Sequence, residues 1–176
     1  MALRMIEKFT FELHTPKIQQ QKIILVKEMT ELRNHVVLKL LAYCLYFTPD
    51  LKVEVSADLH YKPDLMVAGE HGVPKLWIDC GQVTLRKVES LAQKLRSTRV
   101  IFLKETKREL ESFKKLVEKK VDHGERLEFL AFENGFVPSL ANALQRTNHF
   151  TLYEVMENVI GIAINDEIFE SALYHS

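Results

Sequence analysis

Residues 62–81, KPDLMVAGEHGVPKLWIDCG, contain the pattern that decides the fold. Apolar runs at 65–68 and 75–80 flank the turn signal GEHG at 69–72, so this stretch predicts two neighbouring strands joined by a turn. Asp64 opens the first strand and Asp79 comes near the end of the second. A hairpin brings both carboxylates to the same end, where opposed side chains on one face lie roughly 4.5–5.5 Å apart at Cβ.

Helices and strands alternate outward from this segment. Apolar residues at three- and four-residue spacing predict helices over 30–47, 84–95, 105–121 and 138–145, the first with Thr30 as its N-cap. Short apolar runs predict further strands at 51–55, 100–103 and 127–132. The order helix, three strands, helix, strand requires crossover connections, so we expect an α/β fold with a mixed β-sheet flanked by helices.

The two ends of the chain predict antiparallel strands. Residues 4–13 and 23–26 have the pattern of a hairpin, and residues 150–174 have that of a three-stranded meander. These strands either enlarge the central sheet or form a second one. Since neither a linker nor a repeat interrupts the sequence, we expect residues 1–176 to form a single domain.

Composition limits the class of protein. The 176 residues are 47% apolar and 27% charged, a globular balance. No apolar run reaches the roughly 18 residues of a membrane span, and the first residues lack the apolar core of an export signal. We therefore expect a cytoplasmic protein with no membrane partner and with Cys44 and Cys80 as reduced core thiols. Because neither cysteine lies in a nucleophile motif, a thiol-dependent hydrolase is disfavoured.

Charge is unevenly distributed along a chain whose net charge is zero. Residues 86–123 carry 12 basic and 6 acidic side chains, whereas residues 124–176 carry 2 basic and 8 acidic ones. The basic segment fits either a nucleic-acid partner or the solvated faces of two amphipathic helices. The sequence specifies no oligomeric state.

The two aspartates suggest a metal site. Carboxylates this close repel each other, and a hard divalent cation such as Mg²⁺ or Mn²⁺ relieves the repulsion. Such an ion can activate water for phosphodiester hydrolysis. The alternative is that Asp64 and Asp79 are ordinary turn or capping residues, which occur at strand ends in many domains.

Three features resemble the YaeQ family, within the PD-(D/E)XK nuclease-like superfamily. They are the helix motif Thr30-Glu31 with His35 and LKLLAY at 38–43, the strand LWIDCG at 76–81, and the order of elements out to the C-terminal meander. The resemblance implies a restriction-endonuclease-like core (αβββαβ), to which the N-terminal hairpin and the meander are added.

The resemblance also implies a set of site residues. Glu31, Asp64 and Asp79 would gather around one or two Mg²⁺ or Mn²⁺ ions, with the two aspartates in catalytic roles. Superfamily members usually have a lysine two positions after the last acid, where this sequence has Gly81.

Several residues could compensate for the missing lysine. Arg86 and Lys87 start the helix after Asp79, and Lys62 adjoins Asp64. Gln82 could orient a water. Arg86 and Lys87 equally fit a solvated helix start.

His35 lies one helical turn after Glu31, on the same side, and could support the metal ligands; a half-buried structural histidine is the alternative. Taken together, the resemblance implies a metal-dependent phosphodiesterase, a nuclease acting on nucleic acid. The alternative is a catalytically impaired domain of the same fold that binds protein or nucleic acid.

Overall fold

The computed structural model describes residues 6–54 and 60–176. Its strands are β1 (Glu7–His14), β2 (Gln21–Lys27), β3 (Leu51–Val53), β4 (Leu65–Val67), β5 (Leu76–Cys80), β6 (Arg99–Thr106), β7 (Glu128–Phe132), β8 (Thr147–Met156), β9 (Val159–Ile164), β10 (Glu167–Ala172) and β11 (Tyr174–His175). Its helices are α1 (Arg33–Leu45), α2 (Leu85–Lys94), α3 (Lys107–Lys120) and α4 (Phe136–Ala143). The described residues thus form a mixed α/β fold with two mixed sheets and four helices.

The first sheet has six strands in the order β11-β7-β6-β5-β4-β3. Strands β5, β6 and β7 are parallel to one another, while β3, β4 and β5 are antiparallel neighbours. The predicted pairing of β4 with β5 is confirmed, and Leu65 lies opposite Ile78. The register continues past β4, because the Asp64 amide donates to the Ile78 carbonyl over 3.0 Å. Asp64 and Asp79 are therefore at the same end of the strand pair.

The second sheet has five strands in the order β10-β9-β8-β1-β2. It combines the predicted N-terminal hairpin with the predicted C-terminal meander through parallel pairing of β1 with β8. Of the two arrangements left open by the sequence, the structure has the second sheet, because the terminal strands pair with each other. Only β11 among the described C-terminal strands crosses to the six-stranded sheet, where it pairs with β7.

Helices α1 and α4 lie between the two sheets, and α2 and α3 cover the outer face of the six-stranded sheet. Every residue from Val36 to Cys44 is buried, because one sheet lies on each side of α1. None of the helices in the described ranges is long and apolar enough to cross a membrane.

Some predicted boundaries are wrong. Leu32, not Thr30, is the N-cap of α1, because residues 28–31 form a turn in which the Glu31 amide donates to the Glu28 carbonyl. Strand β6 continues to Thr106, so α3 begins later than predicted. Residues 4, 5 and 55, which the sequence places in strands, lie outside the described ranges.

Candidate functional site

Asp79 lies in β5, a strand whose five residues are all buried. Its side chain shares a face of the sheet with Trp77, as the alternation of a strand requires. The Oδ2 atom of Asp79 accepts a hydrogen bond from Trp77 Nε1 at 2.9 Å and lies 2.9 Å from Lys87 Nζ. Burial raises the pKa of the Asp79 carboxyl, and the Lys87 ammonium opposes that rise. Asp79 is thus a deeply placed acid with a dedicated cation.

Lys87 is positioned by the start of α2. Thr84 caps this helix by accepting a hydrogen bond from the Lys87 amide. The Lys87 ammonium bridges Asp79 and the Lys62 carbonyl, which accepts at 3.0 Å. The side chains of Arg86 and Lys62 are exposed, and neither is ion-paired with an acid in the described ranges. Among the three cations suggested by the sequence, the structure therefore brings Lys87 to the acids.

Asp64 precedes β4, and its carboxylate contacts both α1, through His35, and the end of β5, through the Cys80 amide. Its Oδ2 atom accepts from the Cys80 amide at 2.8 Å and lies 3.2 Å from His35 Nε2. Burial raises the pKa of the Asp64 carboxyl, but the bonds from His35 and the Cys80 amide outweigh burial, so the net pKa is lowered. Asp64 therefore stays ionised near neutral pH.

Glu31 lies in the turn before α1 and contacts the other side of the His35 ring. Its Oε1 atom is 2.6 Å from His35 Nδ1, and its Oε2 atom accepts from the Glu28 amide at 2.8 Å. The predicted approach of Glu31 and His35 is confirmed. Burial lowers the pKa of His35, but the carboxylates of Asp64 and Glu31 raise it by more. The net pKa of His35 is therefore raised, and the imidazolium is favoured between the two carboxylates.

Two buried lysines were missed by the sequence analysis. Lys39, only 1% exposed, bridges α1 to Glu54 and Glu31; its ammonium is 3.6 Å from Glu31 Oε1. Lys104 donates to the Gly81 carbonyl at 2.6 Å and lies 3.9 Å from the centre of an aromatic ring. Lys39 interrupts the apolar run VVLKLLA and Lys104 directly follows the apolar run VIFL, and a charge in or beside such a run was the available signal.

Lys104 supplies a cation next to Gly81, the position at which the resemblance led us to expect a lysine. Its ammonium contacts the backbone of Gly81, whose φ of 77° is left-handed and suits glycine. Burial lowers the pKa of Lys104 to about 8, although the Glu109 carboxylate nearby raises it.

A cleft of about 470 Å³ opens in front of these residues. Its lining includes Glu31 and His35, Gly81 and Gln82 after β5, and Glu109 from α3. Asp64 and Asp79 do not line the cleft, although Asp64 contacts His35, which does. The cleft sits at the carboxyl ends of parallel strands β5 and β6, where α/β folds commonly bind ligands.

A divalent cation held by Asp64 and Asp79 stays a prediction, because each carboxylate contacts a protein cation in the described residues. Asp64 lies close enough to raise the pKa of Asp79 through its charge. Among the described residues, both accept their hydrogen bonds through Oδ2, and neither Oδ1 atom has a hydrogen-bond partner there. Across residues 6–54 and 60–176, no three His, Cys, Asp or Glu side chains gather as a metal centre would require. Magnesium is often held by one or two carboxylates and water, so the metal stays a prediction.

The two cysteines do not provide an activated nucleophile. Cys44 and Cys80 are both free and buried, and burial raises the pKa of each thiol well above its ordinary value. A thiol that is protonated near neutral pH is a poor nucleophile. The disfavoured thiol mechanism gains no support from this geometry.

The family model for YaeQ protein matches residues 13–172, most of the chain. The chain belongs to the YaeQ family. Crystal structures of YaeQ proteins from Xanthomonas axonopodis pv. citri and Pseudomonas syringae superpose on it with TM-scores of 0.77 and 0.73, each at 16% identity. The first alignment covers 97% of both chains, and the second covers 98% of this chain and 96% of the other. A search of curated proteins gave no match.

At that identity, the superpositions show that this chain has the fold of the two YaeQ crystal structures. The motifs at 30–43 and 76–81 that carried the resemblance both lie within the matched residues. Both also contribute to the site, through Glu31 and His35 from the first motif and Asp79 from the second. The YaeQ family assignment and the candidate site therefore rest on overlapping parts of the sequence.

Proposed function

We propose that this YaeQ-family chain is a metal-dependent phosphodiesterase of the PD-(D/E)XK type that acts on nucleic acid. The observation that carries the proposal is the contact of Asp79 with Lys87, beside Asp64, at one end of the β4–β5 pair. Two acids that hold a divalent ion, with a protein cation beside them, are groups that metal-assisted hydrolysis of a phosphodiester can use. The order α1-β3-β4-β5-α2-β6 supports the restriction-endonuclease-like core in this proposal.

In this proposal Asp64 and Asp79 hold Mg²⁺ or Mn²⁺. The bound ion would lower the pKa of a water and polarise the phosphoryl group. Lys87 keeps Asp79 ionised in its buried position, because the ammonium opposes the effect of burial on the carboxyl pKa. Lys87 and Lys104 also place positive charge near the end of β5, where it stabilises negative charge that develops on a phosphoryl group.

Glu31 takes a different role from the one that the resemblance implies. Its carboxylate contacts His35 and Lys39, so it orients the imidazolium that holds Asp64. A ring held by carboxylates on both nitrogens has a fixed orientation. Glu31 is therefore proposed as a positioning residue for Asp64.

A second candidate function is that of a nucleic-acid-binding domain without hydrolysis. The observation that favours it is that each acid already contacts a protein cation, and that Asp79 is 2% exposed behind the cleft. Such a network neutralises itself without a metal. Gly81, in place of the superfamily lysine, favours the same candidate.

Cleavage of labelled DNA and RNA oligonucleotides with Mg²⁺ or Mn²⁺ separates the two functions. We expect metal-dependent cleavage that falls at least about tenfold in Asp64→Asn and Asp79→Asn. Asp122→Asn changes an exposed acid beyond α3 and serves as the matched control. Salt-dependent binding without cleavage by either metal would replace the first function with the second.

A further inference from the structure

We propose that this protein self-associates head to tail, with β2 of one copy pairing with β10 of the next copy. Strands β2 and β10 are the two edges of the five-stranded sheet, so this pairing continues the sheet from copy to copy. We call the contact the β2–β10 joint. Neither strand lines the candidate cleft, so the inference goes beyond the proposed function and is tested independently of it.

The backbone of β2 is open along the edge of the sheet. Alternate residues of an antiparallel strand direct their N–H and C=O groups to opposite neighbours. The Thr10 amide donates towards β8, so the backbone of Phe11 faces β2 and its partner Ile23. Lys22 and Ile24 therefore direct their backbone groups away from the sheet.

The edge formed by β10 is open in the same way. The Leu173 amide, just after β10, donates to the Asn158 carbonyl, just before β9, so the odd-numbered residues of β10 face β9. Ile168 and Glu170 therefore direct their backbone groups away from the sheet. Both strands lack proline, one of the residues that commonly protect an edge.

The two open stretches have the same length. At one end of each edge, the Val26 and Ala172 carbonyls accept a hydrogen bond from a side chain. The open stretches are therefore residues 22–24 of β2 and 168–170 of β10. Within the described ranges, no hydrogen bond from a turn, a loop or a side chain reaches the outward backbone groups of these stretches.

The strand directions allow the two edges to pair. Strand β10 runs in the same direction as β8 and β1, and opposite to β2. Two copies in the same orientation therefore bring β10 of one antiparallel to β2 of the other, with the outer faces of their sheets aligned. Such an interface is heterologous and leaves one free edge at each end, so it builds chains or rings of copies.

One register matches the side chains on the outer face of the sheet. It places Lys22 opposite Glu170, an exposed pair of opposite charge. It also places Ile24 opposite Ile168, and these apolar side chains are 57% and 69% exposed in the single copy. Opposite charges and apolar pairs both stabilise neighbouring strands. A shift of two residues keeps the backbone groups aligned but separates both pairs.

The same register matches the inner face. Ile23 comes opposite Phe169, and each is a partly buried side chain at the margin of the core between the sheets. The joint would therefore bury both more deeply and extend the core from copy to copy. Glu167 comes diagonal to Lys27, which adds a second contact of opposite charge.

Charge favours the pairing of unlike edges over that of like edges. Strand β2 carries Lys22 and Lys27 and no acid. Strand β10 carries Glu167 and Glu170 and no base. Lys27 lies 3.9 Å from Glu7, and the other three have no ion pair within residues 6–54 and 60–176. Two copies of β2, or two of β10, would repel, so a second copy that presents the other edge is the partner that fits.

Sedimentation velocity across a wide range of protein concentrations tests the joint. A contact of two short strands is smaller than a standard interface, so we expect weak association whose mean mass rises with concentration and passes the dimer. Lys22→Glu and Glu170→Lys each place like charges opposite one another and should weaken association several-fold. The double variant Lys22→Glu with Glu170→Lys, or an equal mixture of the two single variants, should recover most of it.

Two further variants separate the joint from a general effect of charge. Lys8→Glu is the matched control, because Lys8 is exposed on β1, an interior strand of the same sheet, and it should leave association unchanged. Ile24→Pro removes an outward N–H from the edge, a position at which strands tolerate proline, so it should abolish association while circular dichroism stays that of the folded protein.

Several results would overturn the joint. They are a wild type that stays monomeric at every concentration, a mass that stops at the dimer, and a double variant that associates no better than the single ones. Association that is stronger in Lys22→Ala than in the wild type would also overturn it, because Lys22 would then protect the edge from pairing.

Discussion

At the scale of single residues, the site depends on buried charges that neutralise one another. Asp79 is almost fully buried, and its charge is tolerated because Lys87 and Trp77 contact the same oxygen. Removing one partner of such a pair leaves an uncompensated charge in the interior, whereas replacing both can be nearly neutral. The pair is therefore coupled in its effect on stability.

Substituting Lys87 by Met should lower the free energy of unfolding by about 3 kcal/mol, because Asp79 then loses its cation. Urea denaturation measures the change. Arg86→Met is the matched control, since that neighbouring side chain is exposed and should change stability little. The double variant Asp79→Asn with Lys87→Met should recover much of the loss. A double variant as unstable as the single one would contradict the coupling.

Lys104 should make stability depend on pH in the alkaline range. Its folded pKa, about 8, is below the ordinary 10.5, so the unfolded chain binds more protons between these values. Stability from this group therefore rises with pH through that window and is lowest below pH 8. In urea denaturation, wild type should gain stability relative to Lys104→Met between pH 7 and pH 9.5. If the stability of the wild type relative to Lys104→Met stayed constant or fell over this range, the pKa of Lys104 would not be lowered.

The sequence could predict part of the site and not the rest. The length of the turn and the register of β4 with β5 place Asp64 and Asp79 at the same end of this strand pair. Both depend only on residues close together in the sequence. The insertion of His35 between Glu31 and Asp64 depends on how α1 packs against the strand ends. The contact of Lys104 with Gly81 depends on a parallel pairing across a helix. Both contacts join residues far apart in the sequence, so residue spacing cannot predict them.

At the scale of elements, α1 is the helix on which both the core and the site depend. The apolar spacing of α1 predicted that one face of the helix is buried. The second sheet covers the opposite face as well, so α1 is buried on all sides. Mean apolarity along the segment was the signal for such a helix, because a helix that is apolar all round is buried.

Leu41→Ala should lower the free energy of unfolding by about 2–5 kcal/mol, because this fully buried side chain leaves a cavity between the sheets. Leu32→Ala is the control, since Leu32 caps the same helix and is mostly exposed. Chemical denaturation of both variants is the measurement. If both variants lost a similar, small free energy of unfolding, the layer of α1 between the sheets would be loosely packed.

At the scale of the whole molecule, the two ends of the chain complete one sheet. Strand β1 pairs with β8, more than 130 residues later, and β11 returns to the other sheet. Apolar runs could predict that these segments are strands. They could not predict which strands pair, because the apolar pattern of one strand does not specify the strand beside it in the sheet. The α1 and α4 layer then joins both sheets into one core.

This shared core predicts a single cooperative unfolding transition. Trp77, the only tryptophan, is buried in the six-stranded sheet and reports on it by fluorescence, while far-ultraviolet circular dichroism follows both sheets. The two probes should give coincident urea transitions. A tryptophan transition displaced from the dichroism transition would show that the sheets unfold as separate units, against the predicted single domain.

Calorimetric titration with Mn²⁺ tests the proposal that Asp64 and Asp79 hold a divalent cation. We expect saturable binding of Mn²⁺ to the wild type and its loss in Asp64→Asn and Asp79→Asn variants that remain folded. Asp122→Asn should bind like the wild type. Negligible binding to the wild type, or equal binding to the wild type and both aspartate variants, would contradict the claim.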